Sequence, residues 1–213
     1  MEKYHFFIGN IFTDEDQIRS LKKVQRKLIE RYSLKEYHYN TVFFTNLIYL
    51  GYFDIDTASL YMDKIVSHLL SSLSDKIEDL DCNFSEFRIS YDNSFYQISL
   101  KFQDSNNYLE KIIVPYLYNN AILPVYKKKE NILKPSINLL YYKESKVLNP
   151  LYEKDKKTAK DFIKIQIPQE KFKIDSLSLI KGLPTRLRAG HPSIHNQMNL
   201  VEISKYNFPL KKN

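Results

Sequence analysis

Two neighbouring runs in which apolar and polar residues alternate constrain the fold more than any other feature of this sequence. In the second run, Phe95 to Phe102, every second residue from Tyr96 onwards is apolar and polar residues stand between. The first run, Phe84 to Tyr91, is separated from it by Asp92-Asn93-Ser94, which has the composition of a turn. Alternation of this kind buries one face of a strand and leaves the other polar. The two runs therefore predict an antiparallel hairpin with one buried face.

Strand-type and helix-type segments alternate along the rest of the chain. The further segments with strand character are His5 to Ile8, Thr41 to Leu50, Pro135 to Tyr142, Ile174 to Ile180 and Leu200 to Tyr206. Helical spacing predicts a helix that Thr13 caps, a second over Thr57 to Leu73, a third over Ser105 to Val114 that ends near Pro115, and a fourth over Glu153 to Lys164. The order partly repeats itself after Phe95, which predicts an α+β fold with a duplicated αβ lobe in one domain, residues 1–213.

The composition excludes several classes of protein. The chain has 213 residues and one cysteine, Cys82, so no internal disulfide forms, and no Cys/His cluster has metal-binding spacing. With four glycines it has no glycine-rich phosphate loop, and no cofactor is expected. No apolar run approaches the roughly 20 residues that span a bilayer. We therefore expect a soluble cytoplasmic protein with no membrane association.

The net charge of +7 favours a polyanionic partner. Lysines cluster at Lys127 to Lys129, at Lys156-Lys157 and at Lys211-Lys212. RNA or a phosphate-containing small molecule fits this charge, whereas solvated loops account for it equally well. A protein partner also remains compatible with the sequence.

Two strand segments carry a resemblance to a known family. Phe44-Thr45-Asn46-Leu47-Ile48-Tyr49-Leu50-Gly51 and Lys134-Pro135-Ser136-Ile137-Asn138-Leu139-Leu140-Tyr141 resemble the two strands of 2H phosphoesterases that each begin with a His-x-Thr/Ser motif. The later strand over Phe172 to Ile180 and the closing segment Val201 to Leu210 are also similar to that family. The resemblance implies two pseudo-symmetric αβ lobes with antiparallel sheets around a central cleft. It also implies that the strands containing Leu47 to Leu50 and Leu139 to Tyr141 are central in their lobes.

Both motifs are degenerate in this chain. The resemblance places Phe44 and Ser136 where the family has its two catalytic histidines, which act as general acid and base on a phosphodiester. Neither side chain exchanges a proton near neutral pH, so the usual mechanism is lost. Asn46 and Asn138 replace the family's threonines or serines and can still donate hydrogen bonds to phosphate. Ser136 and Lys134 complete the set of ligand-binding residues expected at the motifs.

Other histidines offer alternatives to the motif positions. His38 precedes the apolar run Val42-Phe43-Phe44 and is a candidate for a displaced motif histidine. The segment from Arg186 to Asn196 contains two arginines and two histidines, and it is either an anion site or an unoccupied hairpin connection. The candidates for ligand binding in this segment are Arg186 and Arg188, and those for catalysis are His191 and His195.

Three functional hypotheses follow from these observations. The first is a catalytically inactive 2H phosphoesterase-like protein that binds RNA or a nucleotide phosphate in the former cleft, with Asn46 facing Asn138. The second is an active phosphodiesterase that uses relocated histidines on 2′,3′-cyclic phosphates or 2′,5′-linked nucleotides. The third is a scaffold subunit of a larger complex.

Overall fold

The computed structural model describes residues 2–40, 42–77, 80–92, 95–119, 135–154, 163–182 and 200–208. The elements in chain order are β1 (Tyr4–Gly9), α1 (Glu15–Arg31), β2 (Lys35–Tyr39), β3 (Ile48–Phe53), α2 (Ile55–Ile77), β4 (Asp81–Asp92), β5 (Phe95–Asp104), a π-helix (Leu109–Ile113), α3 (Val114–Asn119), β6 (Ser136–Glu144), α4 (Leu148–Lys154), β7 (Lys171–Lys173), β8 (Ser176–Gly182) and β9 (Leu200–Asn207).

The strands form two antiparallel sheets. One has four strands in the order β3-β1-β8-β9, and the other has five in the order β2-β6-β5-β4-β7. The hairpin predicted from the alternating runs is β4–β5, with Phe84 opposite Phe102 and Ile89 opposite Ile98. The long hairpin predicted near the end of the chain is β8–β9. The expected fold class, a mixed fold with two antiparallel sheets, is confirmed.

The helices cover one face of each sheet. Helix α2 packs against β1, β3 and β8, and α1 packs against β6. The apolar side chains of these faces join in one continuous cluster, in which Phe6, Leu50, Leu100, Leu140 and Ile65 are almost fully buried. The opposite faces carry polar and aromatic side chains, and some of these, such as Ser99 and Ser178, are buried as well.

Two predicted helix boundaries differ from the structure. Asp14 rather than Thr13 caps α1, since its carboxylate accepts a hydrogen bond from Gln17 N at 2.8 Å. The helix expected to end near Pro115 instead starts as a π-helix at Leu109 and continues through the proline into α3. A proline lacks the N–H that an α-helical turn uses, and a helical segment with a π-type turn tolerates that loss near the start of α3.

The position of β3, which begins within the first motif segment, also differs from the prediction. β3 is an edge strand of the four-stranded sheet, not a central one, whereas β6 lies inside the five-stranded sheet. The structure has α4 at Leu148–Lys154, which overlaps the fourth predicted helix only at its start, and residues 155–162 of the prediction lie outside the described residues. The short strand β2 has no counterpart among the predicted elements.

Candidate functional site

Residues 43–47, which we call the crossing segment, run between the two sheets. Thr45 N donates to Asn10 O at 2.8 Å on one side, and Asn46 N donates to Ser136 O at 2.8 Å on the other. The crossing segment thus pairs with the residues after β1 and with the first residue of β6 at the same time. As a result, the two motif-equivalent segments, distant in sequence, are hydrogen-bonded neighbours.

Side chains of both motif segments share one face. Asn46 and Ser136 are directly opposed in an antiparallel bridge, and opposed residues project to the same side of a sheet. Asn138, two residues further along β6, projects to that side as well. We expected Asn46 to face Asn138 across a cleft, and the structure places it opposite Ser136 instead, with Asn138 as its diagonal neighbour.

The side of the five-stranded sheet opposite α1 carries a row of polar side chains, which we call the polar face. Strand pairing sets Ser99 opposite Asn138 and Lys101 opposite Ser136. The neighbouring strand adds Arg88 opposite Ser99 and Glu86 opposite Lys101. The members of the polar face are Glu86, Arg88, Gln97, Ser99, Lys101, Ser136, Asn138 and Tyr141.

Asn138 is the centre of a hydrogen-bond network on this face. Its side-chain oxygen accepts a short hydrogen bond from Gln97 Nε2, and its Nδ2 lies 3.5 Å from the hydroxyl of Tyr141. Its backbone oxygen accepts from Asn40 Nδ2 at 2.7 Å. These contacts fix the position of both the side chain and the backbone of Asn138 on the polar face.

Asn46 differs from Asn138 because part of its side chain has no partner. The residue is only 7% exposed, and its Oδ1 is buried without a hydrogen bond. An unpaired buried polar atom is costly, by about 1–3 kcal/mol. Rotation of the amide by 180° exchanges the oxygen for Nδ2, because the two ends of the group have nearly the same shape. The buried end of the Asn46 amide can therefore be either the acceptor or the donor.

The cations of the polar face each have an acidic neighbour. Lys101 Nζ lies 3.2 Å from Glu110 Oε2, and its side chain is 14% exposed. Arg88 Nη2 lies 3.7 Å from Glu86 Oε1. These pairs orient two positive groups beside Ser136 and Ser99, but they also offset part of the charge that an anion would meet.

Aromatic side chains continue the surface onto the four-stranded sheet. Phe44 lies two residues before Asn46, on the same side of the crossing segment, and packs edge-on against Phe7, with ring centroids 5.9 Å apart. Phe7 packs in turn against Tyr49, whose hydroxyl is hydrogen-bonded to His5 Nδ1 at 2.6 Å. Phe44 is only 5% exposed, yet it does not belong to the main apolar cluster. Its ring therefore lies outside the core beneath the helices and is buried against Phe7.

Gly9 allows the crossing segment to pass close to β1. A Cβ atom at Gly9 would lie 1.7 Å from the carbonyl oxygen of Thr45, far inside van der Waals contact, and 3.2 Å from the ring of Phe44. Only glycine fits this close approach of two backbones. The position of both motif-equivalent residues, Phe44 and Asn46, thus depends on a glycine that lies far earlier in the sequence.

His38, the candidate for a displaced motif histidine, lies on β2 and pairs with Tyr141. It is therefore three residues further along β6 than Asn138, or roughly 10 Å at the usual rise of a strand. Burial lowers the pKa of His38 below its ordinary value, and the carboxylate of Glu36 opposes this in part. Its Nδ1 is buried without a partner. His38 flanks the polar face but does not occupy a motif position.

The remaining predicted site residues lie outside the described residues. They are Lys134, Arg186, Arg188, His191 and His195. Within the described part of the chain, no group of three or more His, Cys, Asp or Glu side chains is arranged to hold a metal ion. In the same residues no helix has the length and hydropathy needed to cross a bilayer.

Several residues of this surface were not identified from the sequence. Gln97, Ser99 and Lys101 are the polar half of the alternating run that predicted β5, so their common face was present in the pattern. What the pattern lacked was the partner strand, since the pairing of β5 with β6 is a long-range contact. His5 and its bond to Tyr49 gave no signal, because a histidine within an apolar strand has no characteristic spacing.

The sequence matches no protein-family model and no curated protein sequence. Solved structures do match over nearly the whole chain. The protein TT0787 of Thermus thermophilus is 12% identical with a TM-score of 0.58, covering 97% of this chain and 99% of that one. E. coli LigT in its apo form is 10% identical with a TM-score of 0.55, covering 97% and 98%. E. coli LigT complexed with 3′-AMP is 10% identical with a TM-score of 0.50, covering both chains fully, 100% each.

Identities this low support a statement about the fold and no more. The match extends over both sheets, and it agrees with the adjacency of the two motif-equivalent segments at Asn46 and Ser136. The resemblance inferred from the two motif segments is therefore confirmed at the level of the fold, and this chain has the fold of the 2H phosphoesterase superfamily.

Proposed function

We propose that this chain binds a phosphate group of RNA or of a nucleotide where the crossing segment meets β6, and that it does not cleave its ligand by the two-histidine mechanism. The observation that carries the proposal is the backbone hydrogen bond from Asn46 N to Ser136 O. It brings two motif-equivalent segments together and sets Asn46, Ser136 and Asn138 on one face. A ligand bound there touches both halves of the fold.

The side chains at this place suit an anion with several oxygen atoms. Asparagine and glutamine amides and serine hydroxyls donate hydrogen bonds without adding charge, and such groups commonly contact phosphates. Asn46, Ser136 and Asn138 supply three of them within one short stretch of surface. Lys101 adds a positive charge next to Ser136, part of which the carboxylate of Glu110 offsets.

The same positions do not support general acid–base catalysis. Phe44 has no proton to transfer, and the hydroxyl of Ser136 holds its proton far too tightly to act near neutral pH. The amides of Asn46 and Asn138 do not titrate in this range. We therefore propose binding without turnover. That E. coli LigT has been crystallised with 3′-AMP supports a nucleotide as the class of ligand to test first.

Calorimetric titration with 3′-AMP and with 2′,3′-cyclic AMP tests the proposal. We expect Asn138→Ala to weaken binding about tenfold, which corresponds to the net value of about 1–1.5 kcal/mol for one hydrogen bond. Gln103→Ala is the matched control, since Gln103 lies on the same face of β5 but is exposed and beyond Lys101. The control should bind like the wild type, and thermal melts should show that both variants are folded.

Two outcomes would overturn the proposal. Hydrolysis of 2′,3′-cyclic AMP or of 2′,5′-linked diadenylate that disappears in His38→Ala, His191→Ala or His195→Ala would establish an enzyme with relocated histidines. No measurable affinity of the wild type for either nucleotide would favour the scaffold hypothesis instead.

A further inference from the structure

Helix α1 presents a dense row of positive charge to solvent. Between residues 19 and 27 it contains five basic and no acidic residues. All five are exposed: Arg19, Lys22, Lys23, Arg26 and Lys27. They occupy the side of the helix opposite the buried Leu21, Val24 and Leu28, and we call them the basic face of α1.

The basic face is not neutralised by the protein around it. Arg19 pairs with Asp16 at 3.0 Å, and both side chains are largely exposed. Among the residues that the structure describes, the other four cations form no ion pair with an acidic side chain. Like charges three or four residues apart destabilise a helix, and Lys22–Arg26 and Lys23–Lys27 are such pairs. Repulsion between these pairs therefore disfavours the helical form of α1.

The basic face is separate from the surface proposed to bind a nucleotide. The side chain of Gln25, on the inner side of α1, donates to Leu139 O at 2.7 Å, so the helix lies over the core side of β6. The polar face with Ser136 and Asn138 is the opposite side of the same sheet. A ligand on one surface does not contact the other.

We propose that the basic face of α1 binds the phosphodiester backbone of RNA. Eight residues separate Arg19 from Lys27, or about 12 Å at the rise of an α-helix. Cations three or four residues apart stand about 5–6 Å from one another. The row can therefore meet several successive phosphates of one strand. The basic face contributes to binding mainly through electrostatic attraction, because α1 contains no aromatic residue on which bases could stack.

The composition of the helix argues against other partners. Helices that bind membrane surfaces insert an apolar face, and the apolar side of α1 is already buried against the sheet. Protein interfaces are enriched in aromatic residues and depleted in lysine, which is the reverse of the basic face. Contacts to phosphates alone carry no sequence information, so the expected binding is indifferent to RNA sequence and strongly dependent on salt.

The test compares two variants that lose the same charge. Lys22→Gln, Lys23→Gln, Arg26→Gln and Lys27→Gln together neutralise the basic face, and glutamine has nearly the helix propensity of the residues it replaces. The control neutralises four exposed lysines elsewhere: Lys3→Gln, Lys64→Gln, Lys111→Gln and Lys173→Gln. The affinity of each protein for fluorescent 20-nucleotide RNAs of two unrelated sequences is measured by anisotropy across a series of salt concentrations.

We expect the α1 variant to bind both RNAs more than tenfold more weakly at 100 mM salt and to lose about three to four units from the slope of log K against log salt. The control should keep most of the affinity. Equal losses in the two variants, or none in the α1 variant, would overturn the proposal. So would equal or tighter binding of the wild type to a polyglutamate peptide of the same charge or to vesicles containing phosphatidylserine.

A second readout separates this inference from the proposed function. The α1 variant should bind 3′-AMP like the wild type, because the nucleotide surface lies on the other side of the sheet. Asn138→Ala should leave the salt slope for the 20-nucleotide RNA unchanged. Thermal melts should also show the α1 variant to be at least as stable as the wild type, since like-charge repulsion along α1 is removed.

Discussion

Gly9 is the residue on which the geometry of the site depends most directly. Gly9→Ala should destabilise the protein by about 1–3 kcal/mol, because the new methyl group meets the carbonyl of Thr45 at 1.7 Å and one backbone must move. Gly182→Ala is the control, since its Cβ would lie no closer than 3.3 Å to any neighbour, the ring of Phe7 being the nearest. Urea denaturation of both variants measures the difference. Equal stabilities would mean that the crossing segment is not held against β1.

His38 predicts a pH dependence of stability. Burial lowers its pKa in the folded protein below the ordinary value of 6.5, so the unfolded chain takes up a proton first as the pH falls. The stability that depends on neutral His38 is therefore present above about pH 6.5 and is lost as the pH falls below it. Unfolding free energies at pH 7.5 and 5.5 should differ more in the wild type than in His38→Gln. The same pH dependence in both proteins would contradict the placement of His38.

At this scale, the sequence identified some site residues and missed others for a physical reason. Asn46, Ser136 and Asn138 were found because the segments that contain them resemble the two motif strands of 2H phosphoesterases. Lys101 was missed because its role depends on which strand lies beside β5, and cross-strand neighbours are not encoded locally. Cys82, the single cysteine, lies among the buried apolar residues, and burial raises the pKa of its thiol.

The N-cap of helix α1 can be tested with single substitutions. Asp14→Ala should cost about 1 kcal/mol, because the carboxylate satisfies the free backbone N–H of Gln17. Thr13→Ala, one residue earlier, is the matched control and should cost much less, although Thr13 was the cap expected from the sequence. Thermal melting of both variants compares the two losses of stability. A larger loss for Thr13→Ala would mean that the helix begins one residue earlier than the structure shows.

The elements that the sequence predicted are those with a local signature. The β4–β5 hairpin follows from alternation and a turn, and α2 follows from helical spacing. β2 has no such signature, because Lys35, Glu36 and His38 interrupt any apolar alternation, and it forms by pairing with β6. The edge position of β3 could not be predicted either, since it depends on how residues 43–47 leave one sheet to meet the other.

At the scale of the whole molecule, the structure separates two chemically different surfaces. The faces of the two sheets that lie opposite the helices meet at Asn46 and Ser136 and supply neutral hydrogen-bond donors. The basic face of α1 lies beyond the core side of the five-stranded sheet and supplies charge. The overall charge of +7 was readable from the sequence, but its distribution between these surfaces was not, because strand pairing and helix packing decide where each basic residue lies on the molecule.

The most direct test of the proposed site is a titration of the isotope-labelled protein with 3′-AMP, followed by backbone amide chemical shifts. We expect the largest chemical-shift changes at the amides of Asn46, Ser136 and Asn138, and none at the amides of Lys22 and Lys27. All three responding amides should follow one binding curve, since the two motif-equivalent segments are hydrogen-bonded to each other. Changes confined to α1, or none at Asn46 and Ser136 at saturating nucleotide, would contradict a phosphate site at the junction of the two sheets.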